Sequence, residues 1–200
     1  MLDASEYIEQ EFTGADLTGQ DLTGMSFTNC TFRFANLGEL RTDGCVFDGC
    51  EFKNARLNST MHRNTAFLNC QFENANLFGA AFDGCKMVGC AFVGAEMNGV
   101  KIEGGDWSFT SLRTQDLSML DLAGVRFVEA DLSECSLVKT SFRDADLSRA
   151  LLWQADLTDA DLRGARLDGV DLSTTRLKGT RIDIAQAILI AESHGARVET

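Results

Sequence analysis

A period of five runs through this sequence. Between Ala145 and Leu172, leucine falls at 147, 152, 157, 162, 167 and 172. That spacing fits neither the turn of an α-helix nor the alternation of a β-strand. A short, strict period marks a repeat architecture, which has to be read before any local structure. Stepping by five from Phe12 to Ile182 visits 35 positions, of which 17 are Leu and 11 are Phe. Met87, Met97, Ile102, Ile182 and Trp107 keep the rule, and only Thr42 and His62 break it. Two residues before each of these centres, 29 of the 35 positions hold Ala, Cys, Thr, Val or Gly. Two residues after the centre, Gly occurs 15 times and Asn five times.

One large and one small inward residue in every five require a chain that turns a corner every five residues and coils. Each corner needs a residue at positive φ, which Gly or Asn supplies at the third position of a type II turn. Successive coils then stack through backbone hydrogen bonds at about 4.8 Å. The chain contains no proline, which suits a ladder to which every residue donates.

Sorting the centres by twenty gives unmixed columns. Phe12, Phe32, Phe52, Phe72 and Phe92 form one, and Leu17, Leu37, Leu57 and Leu77 another. Phe27, Phe47 and Phe67 begin a third, and Cys30, Cys50, Cys70 and Cys90 align in the same way. Twenty residues per coil means four sides, hence between eight and nine coils and a rod of roughly 40 Å. The units include ADLTG at 15–19, CEFKN at 50–54 and ADLSR at 145–149. They resemble the pentapeptide-repeat family. That resemblance implies an all-β fold, a right-handed quadrilateral β-helix, ending here in a short C-terminal α-helix.

Three regions follow: an N-terminal cap at 1–11, the repeat rod at 12–182, and a C-terminal helix and tail at 183–200. The rod has a Phe- and Cys-rich half (12–102) and a Leu- and Ala-rich half (112–182), joined around Trp107. Gly105 in the small slot beside Trp107 reads as steric compensation. After Ile182 the pattern changes to DIAQAILIAESHG. Asp183 is a good N-cap and Gln186 completes a capping-box pattern, with Gly195 as the stop. The helix at 184–194 is apolar on nearly every side, so it needs cover on every side. The last coil covers one face. A second copy, joined C-terminus to C-terminus through Ile184, Ala187, Ile188, Leu189, Ile190 and Ala191, covers the rest. The expected dimer is a rod of about 80 Å.

The formal net charge is −12. No basic patch dominates, so direct nucleic-acid binding is not expected. All seven cysteines sit two residues before a centre, which reads as reduced structural thiols rather than disulfides or a metal site. No leader-like or membrane-spanning run is visible, and cytoplasm is the expected compartment. His62 occupies a centre and reads as a satisfied inward histidine. His194 ends the tail helix, where positive charge suits the dipole. Nothing converges into catalytic or cofactor-binding chemistry, so no enzyme is expected.

The EFTG start, the uninterrupted units, RIDIAQA at 181–187 and SHG at 193–195 narrow the resemblance. They are similar to the MfpA/Qnr-type fluoroquinolone-resistance proteins, nearest the loop-free MfpA type. The resemblance implies C-terminally joined dimers that bind DNA gyrase (with topoisomerase IV as a further target) in place of duplex DNA. A scaffold or adaptor for another protein is the alternative. Residues 115–175 carry twelve acids against six bases. The candidate partner-binding residues are Asp116, Asp121, Asp131, Glu134, Asp144, Asp146, Asp156, Asp159 and Asp161. Asp before Leu is also the ordinary consensus of such a repeat, where it serves turns. Twelve net charges on the rod give one per about 3.3 Å, half the density of B-DNA at one per about 1.7 Å.

Overall fold

The computed structural model describes residues 4–199, so residues 1–3 of the expected cap, and Thr200, lie outside the described residues. The chain forms a four-sided parallel β-solenoid, the quadrilateral β-helix expected from the period. Most rungs pair with the residue twenty further on, from Glu6↔Ser26 to Asp161↔Arg181; Glu96 with Asp116, Lys101 with Asp121 and Leu151 with Asp171 form no bridge. Nine short strands are described: β1 Glu6–Ile8, β2 Asp21–Thr23, β3 Ser26–Thr28, β4 Arg41–Asp43, β5 Val46–Asp48, β6 Met61–Arg63, β7 Ala66–Leu68, β8 Ala81–Asp83 and β9 Lys101–Glu103. They stack as two parallel sheets, β1-β3-β5-β7 and β2-β4-β6-β8-β9. Isolated parallel bridges continue the ladder elsewhere. The stacked register starts one unit before Phe12: β1 pairs with β3, and the Tyr7 ring stacks on Phe27 at 5.2 Å.

We number the faces by their buried centres. The first holds Phe12 to Leu172, the second Leu17 to Leu177, the third Leu22 to Ile182, and the fourth Tyr7 to Leu167. Corners close as expected, the N–H three residues after a centre donating to the centre's carbonyl, as in Ala15 N to Phe12 O at 3.0 Å. The third corner residue has positive φ across many residue types, as at Phe34 (57°), Met119 (63°) and Arg149 (57°), with Thr174 an exception. The coil therefore imposes the conformation, and Gly or Asn only makes it cheaper.

The columns are ring stacks. Phe12 on Phe32, Phe32 on Phe52, Phe52 on Phe72 and Phe72 on Phe92 have centroids 4.8 to 5.0 Å apart and planes within 12°. That distance is the strand spacing itself. Flat rings thus repeat at the pitch of the backbone and leave no void. Trp107 is fully buried, edge-on to Phe82 at 5.5 Å and stacked on Phe92 at 5.8 Å. Gly105 compensates for a different neighbour than Trp107: a Cβ there would lie 2.1 Å from the Cys85 carbonyl oxygen of the previous coil.

All seven cysteines are buried free thiols. They do more than fill space. Cys50, Cys70, Cys85, Cys90 and Cys135 each donate to the carbonyl 23 residues earlier, at 3.0 to 3.3 Å. Thr140 and Thr180 do the same to Leu117 and Leu157 at 2.8 and 2.7 Å. At these positions the small slot ties a coil to the one before it. Burial pushes the Cys85 thiol up to about 11 and Cys135 to about 12, which suits inert thiols.

The helix α1 spans Ile184–Ser193, and Asp183 and Gln186 form both arms of a capping box. Gln186 is buried and seals the last coil by donating to the Leu162 and Ala165 carbonyls. Leu189 and Ile190 pack against the core.

Candidate partner-binding surface

The nine candidate acids occupy all four faces of the rod. Asp116 and Asp156 share a column on the second face, with Ser136 between them, and Asp121 and Asp161 share one on the third, with Ser141 between. Asp159 turns the corner joining those two faces, so five of the nine flank one edge. Members of a column stand two coils apart, about 10 Å. Asp131 lies on the first face and Asp146 on the fourth. Glu134 and Asp144 turn the corners after the first and third faces.

Local geometry explains most of these aspartates. Asp116, Asp121, Asp131, Asp146, Asp156 and Asp161 each accept a hydrogen bond from the backbone N–H two residues on, at 3.0 to 3.2 Å. This is an Asx turn, and it explains why Asp precedes the centre so often. The Ser148 hydroxyl also donates to Asp146 at 2.6 Å. Asp144 and Asp159 lean along the rod, each with Oδ1 where a Cβ on the next coil's corner would sit, 2.1 Å at Gly164 and 2.3 Å at Gly179. In these two places the corner aspartate occupies the space that glycine leaves on the next coil.

Several acids are also paired. Arg166 reaches Asp146 at 3.9 Å and Arg176 reaches Asp156 at 3.3 Å. Arg163 binds Asp161 at 2.6 Å with Arg143 at 3.8 Å, and Arg113 binds Glu134. Asp161 is held at about 2, chiefly by its hydrogen bond from Arg163. Hydrogen bonds from Thr158 lower Asp156. No ion pair joins Asp116, Asp121, Asp131, Asp144 or Asp159 among the described residues. These five are the uncompensated part of the field.

At the end of the rod, α1 leaves an apolar side open. Ile184 is 83% exposed, Ala187 is exposed, and Ile188 and Ala191 are half-buried. Leu189 and Ile190 are engaged by the chain's own last coil. His62 is buried under the third face. Thr65 Oγ1 donates to the Arg63 carbonyl at 3.0 Å, so it accepts from Thr42, which in turn accepts from His62 Nδ1 at 2.8 Å. His62 Nε2 has no partner, and burial lowers the ring to about 3. The ring faces inward as its position implied, but with Nε2 unpartnered it is not the fully satisfied histidine expected from the sequence. Sequence reading missed this Thr–His chain, although Thr42 and His62 were the two non-apolar centres. No helix among the described residues is long and apolar enough to cross a membrane.

The fold and its stacked five-residue units define a solenoid repeat protein. The family of pentapeptide repeats matches in eight copies over residues 11–41, 26–61, 63–94, 70–108, 116–154 and 140–179, and the chain belongs to that family. No curated protein matches the sequence. Among solved structures, a trypsin-treated variant of QnrB1, a plasmid-mediated fluoroquinolone resistance protein, is similar at TM-score 0.82 and 23% identity, covering 98% of both chains. Full-length QnrB1 is similar at TM-score 0.74 and 21% identity, covering 96% of this chain and 100% of that one. At such identities the likeness is one of fold.

Proposed function

We propose that the chain is an acidic, DNA-like rod that occupies the duplex-binding surface of DNA gyrase. It inhibits the enzyme and spares it from fluoroquinolone-stabilised cleavage, with topoisomerase IV as a second target. It acts in the cytoplasm, by binding rather than by catalysis, and does not itself bind nucleic acid. The observation that carries this reading is the set of uncompensated carboxylates in the C-terminal half, held at fixed coil spacing on a rod of net charge −12. A rigid acidic rod presents charge to a basic channel without the ordering cost a flexible acidic tail would incur. The family and the QnrB1-like fold support it, as does the run of five-residue units without insertion, which matches the loop-free MfpA type.

The same reading makes the protein a dimer through α1. Ile184, Ala187, Ile188 and Ala191 form the contact, while Leu189 and Ile190 hold each helix on its own rod. Joining two rods at this end doubles the length to about 80 Å and brings two acid-rich halves together.

A scaffold for another protein is the second reading. It is favoured by the Asx-turn and arginine partners of the acids, which give those residues a structural reason to exist. Titrating the protein into a gyrase supercoiling assay at two salt concentrations separates the two. Inhibition that weakens with salt, with no binding to DNA alone, is the expected result. No inhibition of several gyrases would leave the scaffold.

A further inference from the structure

The acids do not say which face a partner reads first. One place on the rod combines charge with a large exposed apolar surface. On the first face, Leu151 and Trp153 flank the buried centre Leu152, so both point outward; they are 57% and 48% exposed. Trp153 does not hang free. The Arg113 guanidinium, two coils earlier in the same column, lies 5.9 Å over its ring. The residue between them is the small, buried Ser133, which leaves room for Arg113 to reach across. Arg113 is itself fixed by Glu134. An indole pinned by a cation–π contact has little rotamer freedom to lose on binding. Asp131 and Asp171 bound the patch on the preceding and following coils. The neighbouring second face carries Asp116 and Asp156, so the patch is continuous with the proposed acidic surface.

We infer that Leu151 and Trp153 form the apolar anchor by which the rod docks into a cationic protein surface, their side chains entering an aliphatic seat bordered by lysine or arginine. This rests on the reading of the rod as a DNA-like ligand and adds what duplex DNA lacks. Charge alone steers and orients a partner, whereas a rigid aromatic anchor ringed by polar groups carries a large share of affinity and lengthens the complex's life. The occupant is basic because Asp131 has no ion pair among the described residues, Asp171 feels only His194, and the nearby cations Arg113 and Arg149 are committed to Glu134 and Glu129.

The test uses the full-length protein, Trp153→Ala, and the conservative Trp153→Phe, in gyrase supercoiling at two salt concentrations, with thermal unfolding and light scattering alongside. Trp153→Ala should weaken inhibition about tenfold or more. Its salt dependence, unfolding midpoint and mass should match the wild type, and Trp153→Phe should recover most of the loss. Wild-type inhibition matched by both Trp153→Ala and a Leu151→Ser/Trp153→Ala double variant would overturn the anchor and leave the acidic rod standing. A drop in mass on substitution would overturn it in favour of a contact between copies. Wild-type protein without effect on gyrase would overturn both.

Discussion

His62 shows what a single residue does to this rod. Its ring sits among Phe67 and Phe82, both at 5.1 Å, and stays neutral with its value near 3. In the unfolded chain it takes up a proton below about pH 6.5. The unfolded state therefore binds the extra proton, and stability falls as pH drops from about 6.5 toward 3. Depressed carboxylates such as Asp161 add their own loss only below about pH 4. Denaturant unfolding between pH 6.5 and 4 should lose about 3 kcal/mol. His62→Phe, which continues the ring column onto Phe82, should remove most of that slope; an unchanged slope would place its origin elsewhere. Gly105→Ala is a second test at this scale. Its Cβ would meet the Cys85 backbone at 2.1 Å with φ at +88°, so a loss of at least about 3 kcal/mol is expected in thermal or denaturant unfolding.

The helix is the element in which sequence and structure divide the work. Its cap box, start and stop follow from Asp183, Gln186 and Gly195. Its orientation follows from Gln186, whose amide reaches two carbonyls of the last coil. Gln186→Leu should lower stability by roughly 1–3 kcal/mol, because those carbonyls lose their donor. Ile184→Glu with Ile188→Glu should halve the mass seen by light scattering while leaving far-UV helix signal intact. A dimer that survives both charges would move the seam away from α1. Leu189→Glu is not an equivalent test, since it would also strip the helix from its own coil.

At the scale of the rod, charge and fold can be separated because asparagine keeps the Oδ1 acceptor of an Asx turn. Replacing Asp116, Asp121, Asp131, Asp156 and Asp161 together with Asn should leave the unfolding midpoint nearly unchanged. Exposed pairs such as Asp156 with Arg176 contribute little to stability. The same variant should weaken gyrase inhibition about tenfold or more and flatten its salt dependence. Equal inhibition by variant and wild type would rule out an electrostatic mimic.

The period of five determined the rod, its four faces and its buried columns before any coordinate. A residue every five that must be buried, with no insertion, leaves only a coil, and like rings stack at the backbone's own pitch. The cap of α1 was legible for the same reason: it is local. The distribution of the acids was not. Nine residues that look like one cluster along the chain are carried to different faces by four corners per coil, and only the fold shows which of them are paired with arginine and which are left uncompensated. Nor could spacing alone disclose contacts across coils. The thiol-to-carbonyl bonds 23 residues apart, the Thr42–His62 chain and the Arg113–Trp153 contact depend on side-chain reach and direction. Those are fixed only when neighbouring coils are packed against each other.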